Sequence, residues 1–247
     1  MSKGITGRIA RMVSIKSPDW NDIFSASPSQ AYLVTFVNPY SVFVARRDPA
    51  YVDLLSRFDT VLADGILMTK ASSKMLRIPV QRMSFDGNSL APVIFDIVVS
   101  QGLRLAIVGG VDGVADKAAA VFLSHYQMKV VATRDGFFKS ADARKQYCSA
   151  LAEIAPDVVL CGMGAPYQEE FLANLVDAGW KGVGFTCGGY LDQAAEGDVR
   201  YYPEWINRLN LRAPYRLFKD PRRLGKRYFV HYAPFYLGLV KTYLRWK

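Results

Sequence analysis

The chain has 247 residues and a net charge of +9, with 51% hydrophobic residues and only three cysteines. That length buries a large core and suits one α/β domain with an appendage. Cys148, Cys161 and Cys187 form no C-x-x-C pair, and the two histidines, His125 and His231, lie far apart, which argues against a zinc site or a disulfide framework. No run of about 18 apolar residues is present to span a bilayer, and the basic start, Met1 to Lys16, lacks the apolar core of a signal peptide.

Residues 1–30 read as a short lead-in with one helix around Trp20–Phe24. Tyr32 to Val37 reads as a strand that stops at Asn38-Pro39, because proline cannot donate to a ladder. Ser41–Ala45 and Tyr51–Phe58 read as helical, and Thr60 to Ala63 as a short strand ending at Asp64-Gly65. Ile66–Met75 is an expected helix, Arg82 to Gly87 a polar loop and Leu90–Gln101 a helix with one apolar face.

Leu103 to Val108 is the next expected strand, followed by Gly109-Gly110 and a helix over Val114–Tyr126. Lys129–Thr133 is a strand ending at Asp135-Gly136, and Asp142–Ile154 is a helix. Val158 to Cys161 reads as a strand covered on both faces, with Gly162 and Gly164 turning the chain and Pro166 opening a helix carried by Phe171, Leu172 and Leu175. Gln168 and Glu169 are expected at the mouth of that turn, able to hydrogen-bond a polar ligand. Gly182–Cys187 is a last strand, ending at Gly188-Gly189. Strand–helix alternation of this kind implies a Rossmann-like, mainly parallel sheet with helices on both faces.

Asn38, Asp64, Gly109-Gly110, Asp135-Gly136, Gly162–Gly164 and Gly188-Gly189 all follow an expected strand. Each alone is an ordinary turn. Together they place polar and glycine residues along the one sheet edge where open α/β folds bind ligands, and they suit a phosphate-bearing molecule. Asp64 is the best candidate for a general base, since a carboxylate at the cleft edge is partly desolvated. Asp86 and Asp192 are runners-up, suited to hydroxyl binding or helix capping. No D-x-D pair appears, so no divalent metal is expected. The dinucleotide pattern fails because Tyr167 stands where the third glycine belongs, and no P-loop is present. A nicotinamide-dependent oxidoreductase stays open as an alternative.

Charge divides the chain. Residues 199–247 hold 12 Lys and Arg against 2 Asp and Glu, and 12 of the 32 aromatic residues. A basic, aromatic tail on a near-neutral body suggests an anionic membrane surface as partner. Nucleic acid is not expected, because the body offers no nucleic-acid module. Tyr228–Val240 is expected to be a broken amphipathic segment lying among headgroups, interrupted by Pro234 and Gly238. The division expected is residues 1–198 as an α/β catalytic body and residues 199–247 as a basic aromatic appendage.

The sequence resembles the WecG/TagA/CpsF family of bacterial glycosyltransferases from about Tyr32 to Tyr228. The likeness is carried by Val37-Asn38, Ala63-Asp64-Gly65, Arg82 with Asp86, Val108-Gly109-Gly110, Asp135-Gly136-Phe137-Phe138, the run Gly162 to Glu169, Gly188-Gly189 with Asp192, and the tail Tyr215-Arg216-Leu217, Pro221-Arg222-Arg223 and Arg227-Tyr228. It implies transfer of a sugar from a UDP-sugar to a polyprenyl-diphosphate-linked glycan at the cytoplasmic membrane face, with inversion to a β-linkage and no metal or other cofactor. It implies Asp64 as the base, Asn38 and Gln168 near the substrate, and Arg216, Arg223 and Arg227 on an appendage that closes over the site. Arg82, Asp86, Gly109, Gly110, Asp135, Gly136, Gly162, Gly164, Pro166, Glu169, Gly189 and Asp192 complete the expected substrate-binding set. Phe36 replaces the family's usual threonine, with Thr35 one residue earlier. Tyr167 replaces its lysine, and Leu211-Arg212-Ala213-Pro214 its Leu-Glu-Trp-Leu. These departures suggest a branch that makes exopolysaccharide or capsule. A non-catalytic polysaccharide-assembly protein with a degenerate nucleotide site is the other alternative. Association state is left open, a homo-oligomer included.

Overall fold

Apolar residues at successive positions demand cover on both faces of a strand, and the chain supplies it. The computed structural model describes residues 4–25, 30–197, 206, 212–219, 221, 225 and 227–244. Six strands are present: β1 (Tyr32–Val37), β2 (Thr60–Ala63), β3 (Arg104–Gly109), β4 (Lys129–Arg134), β5 (Val158–Gly162) and β6 (Val183–Thr186). They form one all-parallel sheet in the order β2-β1-β6-β5-β3-β4.

Side chains alternate between two cores. Leu33 and Val37 of β1 join one core with Ala106, Val108, Val159 and Cys161. Val34 and Phe36 join the other with Leu105, Ile107, Leu160 and Phe185. The first core is covered by α1 (Ile5–Met12), α3 (Pro39–Arg47), α4 (Ala50–Leu55), α5 (Ile66–Leu76), α8 (Ala141–Ile154) and α9 (Tyr167–Asp177). The second is covered by α2 (Trp20–Ser25), α6 (Leu90–Ser100), α7 (Val114–Tyr126) and α10 (Tyr190–Ala195). The expected α/β architecture with helices on both faces is therefore present.

Two elements differ from the sequence expectation. The lead-in carries a further helix, α1, whose Ile9 and Ala10 are fully buried. Ile5, Ile9 and Met12 hold helical spacing, but Gly4 provides no side-chain cap to announce the start. At the other end, α11 (Arg212–Lys219) and a π-helical turn over Arg227–His231 precede α12 (Ala233–Leu244), which is not broken. Pro234 falls in the first turn, where its missing N–H leaves no bond unmade. Gly238 is a crossing point: a Cβ there would stand 2.3 Å from Thr6 Oγ1 on α1. The expected boundary between body and appendage lies outside the described residues.

The Gly238 contact gives a measurable consequence. Alanine in mid-helix gains up to about 1 kcal/mol over glycine, whereas overpacking costs about 1–3 kcal/mol. Gly238→Ala is expected to lower the thermal midpoint, with Thr6→Ala in the same chain restoring part of the loss. Additive effects of the two substitutions in thermal melts would show that the helices do not meet there.

Candidate active site

All six strands run the same way, so the chain positions that follow them line one edge. In sheet order these are Asp64 after β2, Asn38 after β1, Gly188-Gly189 after β6, Gly162–Gly164 at the end of β5, Gly109-Gly110 at the end of β3, and Asp135-Gly136 after β4. The β3-to-β4 connection leaves in one direction and the β5-to-β6 connection in the other. The topological switch point, where such sheets open a ligand crevice, therefore lies between β3 and β5.

Glycines make that crevice. Gly109 is paired with Gly162 at φ +147°, and a Cβ on Gly109 would lie 2.5 Å from the Gly162 carbonyl carbon and oxygen. A Cβ on Gly162 would lie 2.8 Å from the Gly188 oxygen. Gly110 N–H donates to Gly162 O, and Gly136 N–H to Gly110 O, at 3.2 and 2.9 Å. The backbone of four loops is thus drawn together without side chains between.

The β1–β2 half of the edge is polar. Asp64 is half-buried, and its N–H donates to Val37 O at 2.9 Å, which sets it beside Asn38. Arg82 is half-buried and bridges in parallel to Ala63, with Met83 N–H donating to Ala63 O. Asp64, Arg82 and Asn38 are therefore brought together. Asp64 and Gly109 stand four strand positions apart, roughly 19 Å at ordinary spacing. The site is long, with a polar half and a glycine half.

Several expected residues hold the scaffold. Asn38 caps α3: Oδ1 accepts from Tyr40 N–H at 2.9 Å, and Asn38 N–H donates to Ser41 Oγ. Asp86 is buried, accepting from Ser84 Oγ and Asn88 N–H within its own loop. Asp135 accepts from Phe137 N–H and closes a local turn. Asp192 is half-buried in the first turn of α10, whose start follows Gly189, and Pro166 immediately precedes α9. Arg223 and the side chains of Arg216 and Arg227 lie outside the described residues. Among the described residues, no three His, Cys, Asp or Glu side chains gather into a set that could hold a metal ion.

Gln168 and Glu169 differ most from the expectation. Both lie beneath the mouth rather than open to it; they are 5% and 0% exposed. Gln168 Oε1 accepts from Gly164 N–H and Gly188 N–H, each at 3.2 Å, and its Nε2 donates to Glu169 Oε1 at 3.1 Å. Thr35 Oγ1 donates to the same Glu169 oxygen at 3.0 Å and meets Thr186 Oγ1 at 3.0 Å. Burial raises the Glu169 carboxyl above its ordinary range, against the lowering effect of the Gln168 and Thr35 hydrogen bonds. The spacing Gln168, Phe171, Leu172, Leu175 is one helix face, so the inward direction of Gln168 was legible. Thr35 was overlooked as a buried partner, although it shares strand parity with Leu33 and Val37.

The chain matches the model of the glycosyl transferase WecG/TagA/CpsF family over residues 15–247. It is 29% identical over 215 residues to a UDP-Gal:α-D-GlcNAc-diphosphoundecaprenol β-1,4-galactosyltransferase of Shigella boydii, covering 86% of this chain and 87% of that one. It is 28% identical over 195 residues to an N-acetylglucosaminyldiphosphoundecaprenol N-acetyl-β-D-mannosaminyltransferase of Bacillus subtilis, covering 77% and 73%. A protein of the same description from Bacillus spizizenii is 28% identical over 194 residues. With its parallel sheet, its glycine crevice at the switch point and a match over nearly its whole length, the chain belongs to the WecG/TagA/CpsF family of glycosyltransferases.

Proposed function

We propose that this protein transfers a sugar from a UDP-sugar to a polyprenyl-diphosphate-linked glycan at the cytoplasmic face of the membrane, in the synthesis of a cell-surface polysaccharide. The observation that carries the reading is the placement of Asp64, with Arg82 and Asn38, on the same edge as the glycine crevice. A nucleotide-sugar is elongated, with diphosphate and reacting sugar at different points along it. The glycine half suits the diphosphate, because no side chain there holds a ligand away from the backbone. The polar half suits the reacting carbon. The family assignment displaces the oxidoreductase alternative.

In this mechanism the Asp64 carboxylate takes the proton of the acceptor hydroxyl. The freed oxygen attacks the anomeric carbon opposite the diphosphate, the carbon–oxygen bond to phosphate breaks, and UDP leaves with the electron pair, giving inversion. Arg82, and Arg216, Arg223 and Arg227 of the appendage, would neutralise the leaving charge in place of a metal. The Shigella and Bacillus relatives carry names with different donors but the same N-acetylglucosamine-diphosphoundecaprenol acceptor. The acceptor class is carried over on that ground, and the donor sugar is not.

The surface supports membrane association. Among the described residues no helix is long and apolar enough to cross a bilayer. Ile66 and Leu67 are exposed immediately after Asp64-Gly65, and Phe218, Phe229, Val230 and Leu237 are exposed in the basic appendage. Such residues suit an acceptor and a surface that are both apolar.

Two measurements test the reading. UDP release with N-acetylglucosaminyl-diphosphopolyprenol and a panel of UDP-sugars should occur with EDTA present. Asp64→Asn should lower kcat by about 10²–10⁴-fold; equal release by both proteins removes Asp64 from the role of base, and nucleotide binding without turnover from any donor favours the degenerate-site alternative. Separately, the protein should sediment with vesicles of anionic lipid and be released by salt. Leu237→Glu with Phe229→Glu should abolish sedimentation, and unchanged sedimentation would place the contact elsewhere.

A further inference from the structure

Two loops of the site are joined from beneath by one buried hydrogen-bonded chain, which reaches strand β1 through Thr35. At the β1 loop, Asn38 N–H donates to Ser41 Oγ. The Tyr51 hydroxyl lies against Ser41 and Glu169 without hydrogen-bond geometry to either. Glu169 Oε1 accepts from Thr35 and from Gln168 Nε2. Gln168 Oε1 then accepts from Gly164 N–H and Gly188 N–H, in the loops after β5 and β6. Strands β1, β6 and β5 are neighbours in the sheet, so the chain crosses the middle of the site.

We propose that Glu169 is a positioning residue: it fixes the Gln168 side-chain amide, and through it holds the loops after β5 and β6 in the register the diphosphate requires. A wholly buried carboxyl cannot touch a ligand in the cleft, which excludes the direct role. The orientation of the Gln168 amide is dictated, because two backbone N–H groups can only donate and must face its oxygen. Its NH2 then points away from the cleft and needs an acceptor in the apolar interior. Glu169 Oε1 is that acceptor. Without it, the amide has an unpaired buried donor and loses the preference that keeps its oxygen on both loops. The Tyr51 hydroxyl lies against Glu169 but makes no hydrogen bond of ordinary geometry to its second oxygen, and the hold on Gln168 runs through Oε1. The raised protonation range of Glu169 fits this, since a neutral carboxyl still offers its carbonyl oxygen to both donors.

The kinetic part of this inference rests on the glycosyl-transfer reading; the structural part does not. Hydrogen exchange of the full chain would be followed at the segments holding Gly164 and Gly188, with β3 and β4 as internal reference. Glu169→Leu should speed exchange at those two loops and leave β3 and β4 unchanged. Glu169→Gln, which keeps an acceptor oxygen, should match wild type. Thr35→Val, which removes the second donor to Oε1 together with the Thr186 contact, should leave Gly164 and Gly188 near wild type and serves where the leucine variant does not fold: loop exchange as fast in Glu169→Gln as in Thr35→Val, and faster than wild type, would overturn the proposal. So would unchanged loops in Glu169→Leu, or exchange raised equally across the sheet, which marks a general packing role. With active protein, Glu169→Leu should raise the donor KM roughly tenfold with kcat little changed, as expected where uniform diphosphate binding is lost. A fall in kcat alone would count against it. Exchange needs no substrate, so it stands or falls apart from the assigned reaction.

Discussion

A sheet covered on both faces leaves little besides its β4 edge and its strand ends to meet solvent, and this constraint organises the molecule. The strands carry apolar side chains to two separate cores. Polar chemistry cannot be placed along them without the cost of burial. It is confined to the residues that follow each strand, and the all-parallel arrangement puts all of these on one edge. The connections reverse direction between β3 and β5, so the edge opens at the point where Gly109 and Gly162 touch. The site is a consequence of topology before it is a consequence of any single residue.

Buried polar residues qualify that rule. Thr35, Thr186, Gln168 and Glu169 lie inside, where each unpaired group would cost about 1–3 kcal/mol. They are tolerated because they pair with one another and with two loop amides. Their position, directly under the loops of β5 and β6, links interior order to the geometry of the cleft. A network of this kind constrains more than an apolar core of equal volume, because hydrogen bonds have direction and dispersion does not.

Much of the fold was legible because buried strands are written as apolar runs bounded by Gly, Asp or Asn. Each of β1 to β6 announced itself in that way, and with them the place of Asp64 and the glycine loops at strand ends. The misreadings share a cause. Gln168 and Glu169 were placed by their closeness in sequence to Gly164, whereas the period of α9 decides their direction. Helix α1 was overlooked because its apolar spacing is short and uncapped. Which polar residue meets which across about 130 positions of chain, as Thr35 meets Glu169, has no local signature at all.

The C-terminal helix shows why packing and surface contact are compatible. Phe235 and Leu239, four residues apart, point inward to the first core, and Gly238 lets the backbone close on Thr6. His231 stacks on Phe43, with ring centroids 4.4 Å apart, so the turn before the helix is held against α3. Tyr236 and Leu237, on the opposite side, remain exposed. A helix apolar all round belongs in an interior, and over its described side chains, Ala233 to Leu239, this one is covered by its own chain on one side only. The uncovered half sits in the part of the sequence that holds the whole basic excess. An apolar face among cations is what the proposed contact with an anionic bilayer rests on: headgroups would meet the charges and the acyl region the side chains. Because the same helix is docked on α3, which Asn38 caps, the proposed membrane contact would be held close to the polar half of the site, where the proposed lipid-linked acceptor would arrive.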